Sequence, residues 1–194
     1  MPSRTIAALD AWLKVAEQVL SEQREHAISP SEGTVWDRSQ QETVISLATL
    51  AAGLERVLNA LCAGPGRWVL IVEHSVRRHL FWQALAFEDG SLCTEVVSNT
   101  YLEGEDRWTT EQEDRLVALG WERPAPKRPN FINVEATTCP ETGVVCRRAL
   151  STLRELFGLS DEDEVFVKVF SSCLRGDTPA GPIYEVDIDK VEEE

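Results

Sequence analysis

The fold is decided by residues 67–121, which read RWVLIVEHSVRRHLFWQALAFEDGSLCTEVVSNTYLEGEDRWTTEQEDRLVALGW. Apolar side chains dominate 68–72, 80–87 and 92–98, which are runs of strand length bounded by turn residues. The turns are HSVRR at 74–78 and EDG at 88–90, where glycine is free to adopt a positive φ angle. We therefore predict three consecutive antiparallel strands at the centre of the chain.

Two helices are predicted ahead of these strands. Apolar residues recur at helical spacing over 4–24, and residues 25–38 hold the Ser, Pro and Gly of a loop. Ser39 and Glu42 then match a capping box, which predicts a second helix from there to about Leu61. Its expected buried stripe comprises Val44, Leu47, Ala48, Ala51, Leu54, Leu58 and Leu61.

A short helix and a fourth strand are predicted after the three strands. Thr109 and Gln112 form another capping box, and Gly120 ends the helix that the box begins. The three prolines of 122–129 predict an extended linker, and 131–137 has the alternation of a strand.

The C-terminal third adds one more helix and one more strand. Thr138 and Glu141 match a third capping box, which predicts a helix to Phe157, and valines at alternate positions predict a strand over 165–170. Residues 182–194 alternate in the same way but end in an acidic run, so an edge strand and a solvated tail both stay open.

This order of elements predicts an α+β fold, in which an antiparallel meander packs against helices. The predicted divisions are an N-terminal helical pair over 1–62, an α+β domain over 65–171, and an acidic tail or edge strand over 172–194.

Composition narrows the classes of function. The chain has 194 residues, a net charge of −14 and a pI of about 4.7, so a nucleic-acid backbone would be repelled. The sequence has no apolar run long enough to span a membrane and no pattern of a secretory signal, which predicts a cytoplasmic location. Because an acidic protein attracts basic segments, we expect its partners to be basic or disordered.

The five cysteines are odd in number and widely spaced, without a CxxC pair. Neither a zinc site nor a disulfide framework is indicated, and reduced thiols are the simplest account. Cys139 and Cys146 lie two helical turns apart and could share a helix face as a thiol pair.

No motif for catalysis, a cofactor or a metal is present. The sequence lacks GxSxG, HExxH, P-loop and GxGxxG patterns, so we predict a protein that is not an enzyme and that holds no cofactor or metal. His74 and His79 flank Arg77 and Arg78, which is either a small basic patch for an acidic partner or a solvated hairpin tip. RGD at 175–177 is interpreted as a turn.

Glu95 and the tryptophans are the candidates for partner binding. Glu95 interrupts an apolar strand, which favours either a polar anchor on a binding face or a strand with one wet face. Six tryptophans indicate either core packing or an aromatic groove for an apolar peptide, and Trp108 and Trp121, beside loops, are the better groove candidates.

At 92–121 the pattern becomes specific enough to resemble a known family. LCTEVVSNTYL, then TTEQEDRLVALGW, then a proline-rich gap and NF resemble the TY-Chap domain, which is related to YbjN and to type III secretion chaperones such as CesT and occurs largely in actinobacteria. The resemblance covers roughly 65–170. The matching positions are Glu95, Val96, Val97, Ser98, Asn99, Tyr101, Leu102, Thr110, Gln112, Leu116, Leu119, Gly120, Trp121, Asn130 and Phe131.

The resemblance implies a non-catalytic chaperone that binds a peptide or a partner protein on an α+β fold, often as a homodimer. It supplies no catalytic residues to carry over. With the aromatic pattern, it selects six residues as client-binding candidates, which are Glu95, Asn99, Tyr101, Trp108, Trp121 and Phe131.

Two other hypotheses stay open. An acidic decoy of nucleic acid would block a basic DNA-binding protein, and its binding would be strongly salt-sensitive, whereas apolar contacts to a chaperone client would survive salt. A thiol enzyme would use Cys139 or Cys146 with a distant histidine, and would need a depressed thiol pKa.

Overall fold

A computed structural model describes residues 41–64, 67–135 and 141–171, which form one sheet and three α-helices. The predicted helix over 4–24, the loop over 25–38 and the segment from 172 onward lie outside the described residues. The elements are β1 Gln41–Ser46, α1 Leu47–Ala63, β2 Trp68–His74, β3 Phe81–Ala86, β4 Leu92–Val96, a 3₁₀ turn Gly104–Asp106, α2 Thr110–Ala118, β5 Phe131–Glu135, α3 Thr142–Glu155 and β6 Glu164–Ser171.

The sheet is antiparallel throughout, with the strand order β1-β6-β2-β3-β4-β5. Strands β2 to β5 form the predicted meander, because each pairs with the next strand along the chain. The last strand, β6, is inserted between β1 and β2, so that Val167 lies opposite both Thr43 and Val72. The predicted α+β class, a meander packed against helices, is confirmed.

One face of the sheet packs against the helices and forms the larger core. Trp68 on β2 and Trp82 on β3 are both fully buried on this face, where they lie opposite Ala86 and Val72 respectively. The leucines of α1 belong to the same core, because they recur every three or four residues and so lie on one helix face. The fully buried leucines of α1 are Leu47, Leu50, Leu54, Leu58 and Leu61.

The predicted start of the second helix is wrong. Residues 41–46 form β1, and the cap of α1 is Ser46, whose side-chain oxygen accepts a hydrogen bond from the Thr49 N–H over 3.2 Å. Val44 is 45% exposed rather than buried on a helical stripe. Three β-branched residues in succession within QETVIS favour a strand, and pairing with β6 outweighs the chance match of Ser39 and Glu42 to a capping box.

Two further local predictions are wrong. Residues 122–129 form a tight hairpin and no extended linker, because the backbones of Ala125 and Arg128 exchange two hydrogen bonds and Glu122 pairs with Ile132. Helix α3 is capped at Glu141, which makes no side-chain capping bond, so the helix does not begin at a box of Thr138 and Glu141. Thr138 itself lies outside the described residues.

Other turn signals behave as expected from their chemistry. The capping box of Thr109 and Gln112 is complete, with both reciprocal hydrogen bonds present. Gly90 in the hairpin and Gly120 after α2 both have positive φ angles, at 83° and 97°. These local predictions are confirmed because each depends on residues close together in the chain.

We expect Ser46→Ala to lower the free energy of unfolding by about 1 kcal/mol, within roughly 0.5–2 kcal/mol, because an N-terminal donor of α1 loses its acceptor. Urea unfolding followed by circular dichroism measures the change. A helix start at Ser39 would instead put the loss in Ser39→Ala and leave Ser46→Ala neutral.

Candidate functional site

The side of the sheet opposite the helices is the candidate site, and we call it the outer face. Every buried apolar residue of the three helices belongs to the larger core, whereas a second, smaller cluster contains no helix residue. By strand register, the outer face comprises Val44, Val69, Ile71, Glu73, Phe81, Gln83, Leu85, Cys93, Glu95, Ile132, Val134, Phe166 and Lys168. Of these, Phe81 at the end of β3 also packs against the larger core.

The outer face is mainly apolar, and two polar side chains, Gln83 and Glu95, lie next to each other in its middle row. Ile71, Gln83, Glu95 and Ile132 lie opposite one another on β2, β3, β4 and β5. Ile71 and Gln83 are only half-buried, while Glu95 and Ile132 are 6% and 2% exposed. The surface therefore offers partly open apolar side chains around one deeply set carboxyl group.

Glu95 is held by two neutral amides. Gln83 Nε2 donates to Glu95 Oε2 over 2.7 Å, and Asn130 Nδ2 donates to the same oxygen over 3.1 Å. Asn130 is itself oriented, because its Oδ1 accepts from the Ser98 N–H over 3.2 Å. Burial raises the pKa of Glu95, and the two hydrogen bonds only partly oppose that rise.

This contact explains part of the sequence motif. Glu95 and Ser98 belong to EVVSN, whereas Asn130 begins NF after the proline-rich gap, and the fold brings all three together. Gln83 and Asn130 were not among the predicted site residues. The signal for Gln83 was available, since it is a second polar interruption of an apolar strand, but its position opposite Glu95 depends on strand register.

Charged pairs border the outer face on two sides. Glu73 accepts from Lys168 Nζ and from Arg78 Nε, both over 2.6 Å, and the Arg78 guanidinium lies 3.8 Å above the Phe166 ring. At the β5 edge, Arg128 pairs with Glu122 over 3.5 Å. These cations are engaged with carboxylates other than Glu95.

Asn99 and Trp108, two predicted client-binding residues, bind each other. The Asn99 side-chain amide exchanges hydrogen bonds with the Trp108 backbone over 2.7 and 2.9 Å. The Trp108 indole N–H donates to Val97 O over 2.8 Å, and its ring stacks on Phe157 at 5.8 Å between centroids. Trp108 is 6% exposed, so it fills the core as placed.

Trp121, Phe131 and Tyr101 also lie on the helix side of the sheet. Trp121 is 2% exposed and donates its indole N–H to Thr152 Oγ1 over 3.0 Å. Phe131 is fully buried, and Tyr101 is half-buried against the same core. The structure therefore brings none of these five residues to Glu95, and client binding through them stays a prediction.

The predicted basic patch is tied to its own surroundings. Arg77 Nη2 donates to Phe157 O over 2.7 Å, and His79 Nε2 lies 2.8 Å from a carboxylate oxygen of Asp106. His74 Nδ1 accepts from the N–H groups of Val76 and Arg77. These contacts fasten the β2–β3 loop to the 3₁₀ turn and to the end of α3.

Cys93 and Cys146 are not activated as nucleophiles. Burial raises the pKa of both Cys93 and Cys146 to about 12, so both thiols are protonated at neutral pH. Cys139 and Cys173 lie outside the described residues. Within the part of the chain that the structure covers, no group of three or more His, Cys, Asp or Glu could hold a metal, and no helix is long and apolar enough to cross a membrane.

Glu95→Gln is expected to raise the stability of the protein at neutral pH. Glutamine can accept the same two hydrogen bonds without a buried charge. Because the folded pKa of Glu95 is raised above its ordinary value of 4.5, the wild type loses stability as pH rises through that folded value. The advantage of the variant should therefore vanish below about pH 4, where both folded and unfolded Glu95 are protonated. Urea unfolding across pH measures it, and a variant that is less stable at pH 7 contradicts this account.

Trp121→Ala is expected to cost about 3–5 kcal/mol of stability, because it leaves a cavity and leaves Thr152 without its indole donor. Trp121→Phe, the control, keeps most of the ring volume and should cost less. A chemical melt of both variants tests this. A loss below about 1 kcal/mol for Trp121→Ala would show that the side chain is not core.

The comparison with known families agrees with the resemblance in the sequence. A family model, TY-Chap3, described as "T3SS (YopN, CesT) and YbjN peptide-binding chaperone 3", matches residues 46–170. The match begins at Ser46 and so includes α1, whereas the resemblance in sequence covered roughly 65–170. No curated protein and no solved structure matches the chain. Since the family match spans more than half of the 194 residues, the chain belongs to the TY-Chap3 family of peptide-binding chaperones.

Proposed function

We propose that this protein is a chaperone-like protein that binds an extended segment of a partner protein on the outer face of its sheet, without catalysing a reaction on it. The observation that carries the proposal is the half-buried apolar surface around Ile71 and Leu85. This surface lies on the outer face, which holds the smaller apolar cluster. Family membership supports peptide binding in general.

The energetics of such a surface favour an extended client. Burying apolar area contributes about 25 cal/mol per Å², so client side chains placed over Ile71 and Leu85 would favour binding, and an already ordered surface lowers the entropic cost that opposes it. Among the six residues that the sequence selected, we propose that Glu95 contacts the client. We propose that the other five, which pack on the helix side, support the fold.

Charge supports the chemistry of the client. The net charge of −14 attracts basic segments and repels nucleic acid, so we propose basic, disordered clients. We also propose a cytoplasmic location, an actinobacterial origin and an ability to pair as a homodimer, all of which rest on the resemblance to the family. Size-exclusion chromatography with light scattering tests the last of these.

Two other functions have less support. The negative net charge also fits a nucleic-acid decoy, but an apolar outer face does not resemble the charged surface of a nucleic acid. A thiol enzyme needs a depressed pKa, and the pKa of Cys146 is raised. We therefore place the chaperone-like function first.

Ile71→Ser tests the surface. Ile71 is half-buried and packs against neither core cluster, so its replacement should spare the fold. We expect the variant to bind the best peptide from a synthetic array of basic and apolar sequences about tenfold more weakly, equivalent to ~1.4 kcal/mol of lost apolar contact. Fluorescence anisotropy of the labelled peptide measures the affinity.

Val117→Ser is the matched control, because Val117 is an exposed valine on α2 and lies off the outer face. It should bind as the wild type does. Equal weakening in both variants would remove the outer face as the binding surface. Binding that disappears between ~0.05 and ~0.5 M salt would favour the decoy, because screening removes long-range attraction but leaves apolar contacts.

A further inference from the structure

The charge on Glu95 is not explained by the fold. Both hydrogen bonds that the described residues donate to it end on Oε2, and none ends on Oε1. A glutamine would accept the same bonds without desolvating a charge, and a buried carboxylate without a cation is costly. We therefore expect the protein to be more stable with glutamine than with glutamate at position 95.

The charged groups near Glu95 do not neutralise it. Arg128 on the adjoining hairpin pairs with Glu122, and Lys168 on β6 pairs with Glu73. The titratable neighbour on its own strand is Cys93, whose thiol is protonated at neutral pH. Among the described residues, no lysine, arginine or histidine forms an ion pair with Glu95.

The residues around Glu95 indicate which side chains of a bound peptide would lie over it and beside it. Leu85 and Cys93 form the row on one side of the Gln83–Glu95 row. The row on the other side holds Phe81, which is half-buried and also packs against the larger core, opposite Glu73. Rows on one face of a strand are about 6.6 Å apart, which is also the spacing of alternate side chains in an extended peptide. A client that runs along β3 and β4 would therefore place one residue over Glu95 and apolar residues two positions before and after it.

We propose that Glu95 determines the specificity of the outer face by pairing with the ammonium or guanidinium group of one Lys or Arg, flanked at alternate positions by apolar residues of the bound segment. This inference rests on the proposed peptide-binding function. Charge complementarity supports it, since an acidic chain offers a desolvated carboxylate with one oxygen to which no described residue donates. The pair forms away from bulk water, where an ion pair is less screened by salt than one on the surface.

Pairing with a cation also predicts a proton linkage. Burial raises the pKa of Glu95 in the free protein, and a bound cation lowers it again. Binding of a lysine peptide should therefore release protons at pH values near the raised pKa, and affinity should increase as pH rises through it. A peptide with norleucine in place of lysine should release none.

A double-mutant cycle tests the proposal. Two peptides of the form apolar–x–Lys–x–apolar and apolar–x–norleucine–x–apolar are titrated by calorimetry, in two buffers of different ionisation enthalpy, against wild type, Glu95→Gln and Glu162→Gln. Glu162 is an exposed carboxylate in the loop before β6 and serves as the control. We expect the wild type and Glu162→Gln to prefer the lysine peptide about 10- to 100-fold, and Glu95→Gln to lose that preference.

The outcomes separate the two proposals. A lysine preference that persists in Glu95→Gln, or an equal loss of both peptides in that variant, overturns the role of Glu95 while peptide binding stands. Failure of either peptide to bind wild type at all overturns the proposed function and this inference together. Proton release with the norleucine peptide also contradicts the pairing, because that peptide brings no cation.

Discussion

The antiparallel pairing of β6 with both β1 and β2 is the constraint on which the rest of the structure depends. β6 comes last in the described chain, yet it lies inside the sheet and joins β1 to the meander. The loop before it is equally involved, because Asp161 O and Asp163 O accept from the first two N–H groups of α1. One late, long-range pairing therefore fixes both an edge of the sheet and the start of the helix that covers it.

The two faces of the sheet have different roles. The helix face holds the large buried aromatic residues, and two of them donate their indole N–H groups within the core, Trp121 to Thr152 and Trp108 to Val97 O. The outer face holds a smaller cluster and a carboxyl group, Glu95, whose charged form burial disfavours. A protein that gives up stability at one position commonly does so for function, which is why the outer face rather than the aromatic core is our binding surface.

Local chemistry accounts for what the sequence could predict about the site. Glu95 stood out because a charged residue interrupted an apolar strand, and the Thr109 capping box was visible because its two residues are three positions apart. Gln83 and Asn130 could not be assigned to Glu95, since they come from β3 and from the residue before β5. The tryptophans were ambiguous for a related reason: an aromatic side chain suits a core and a groove equally until its neighbours are known.

The sequence by itself determined the α+β class, the strands of the meander and its first two turns, the ends of α2 and the membership of a peptide-binding family, because each of these depends on patterns of residues close together in the chain. Only the tertiary structure decided that residues 41–46 are a strand, that β6 lies inside the sheet, and that Glu95 meets Gln83 and Asn130. Strand pairing and register are set by the burial of whole faces, and a shift of one residue would reverse every side chain.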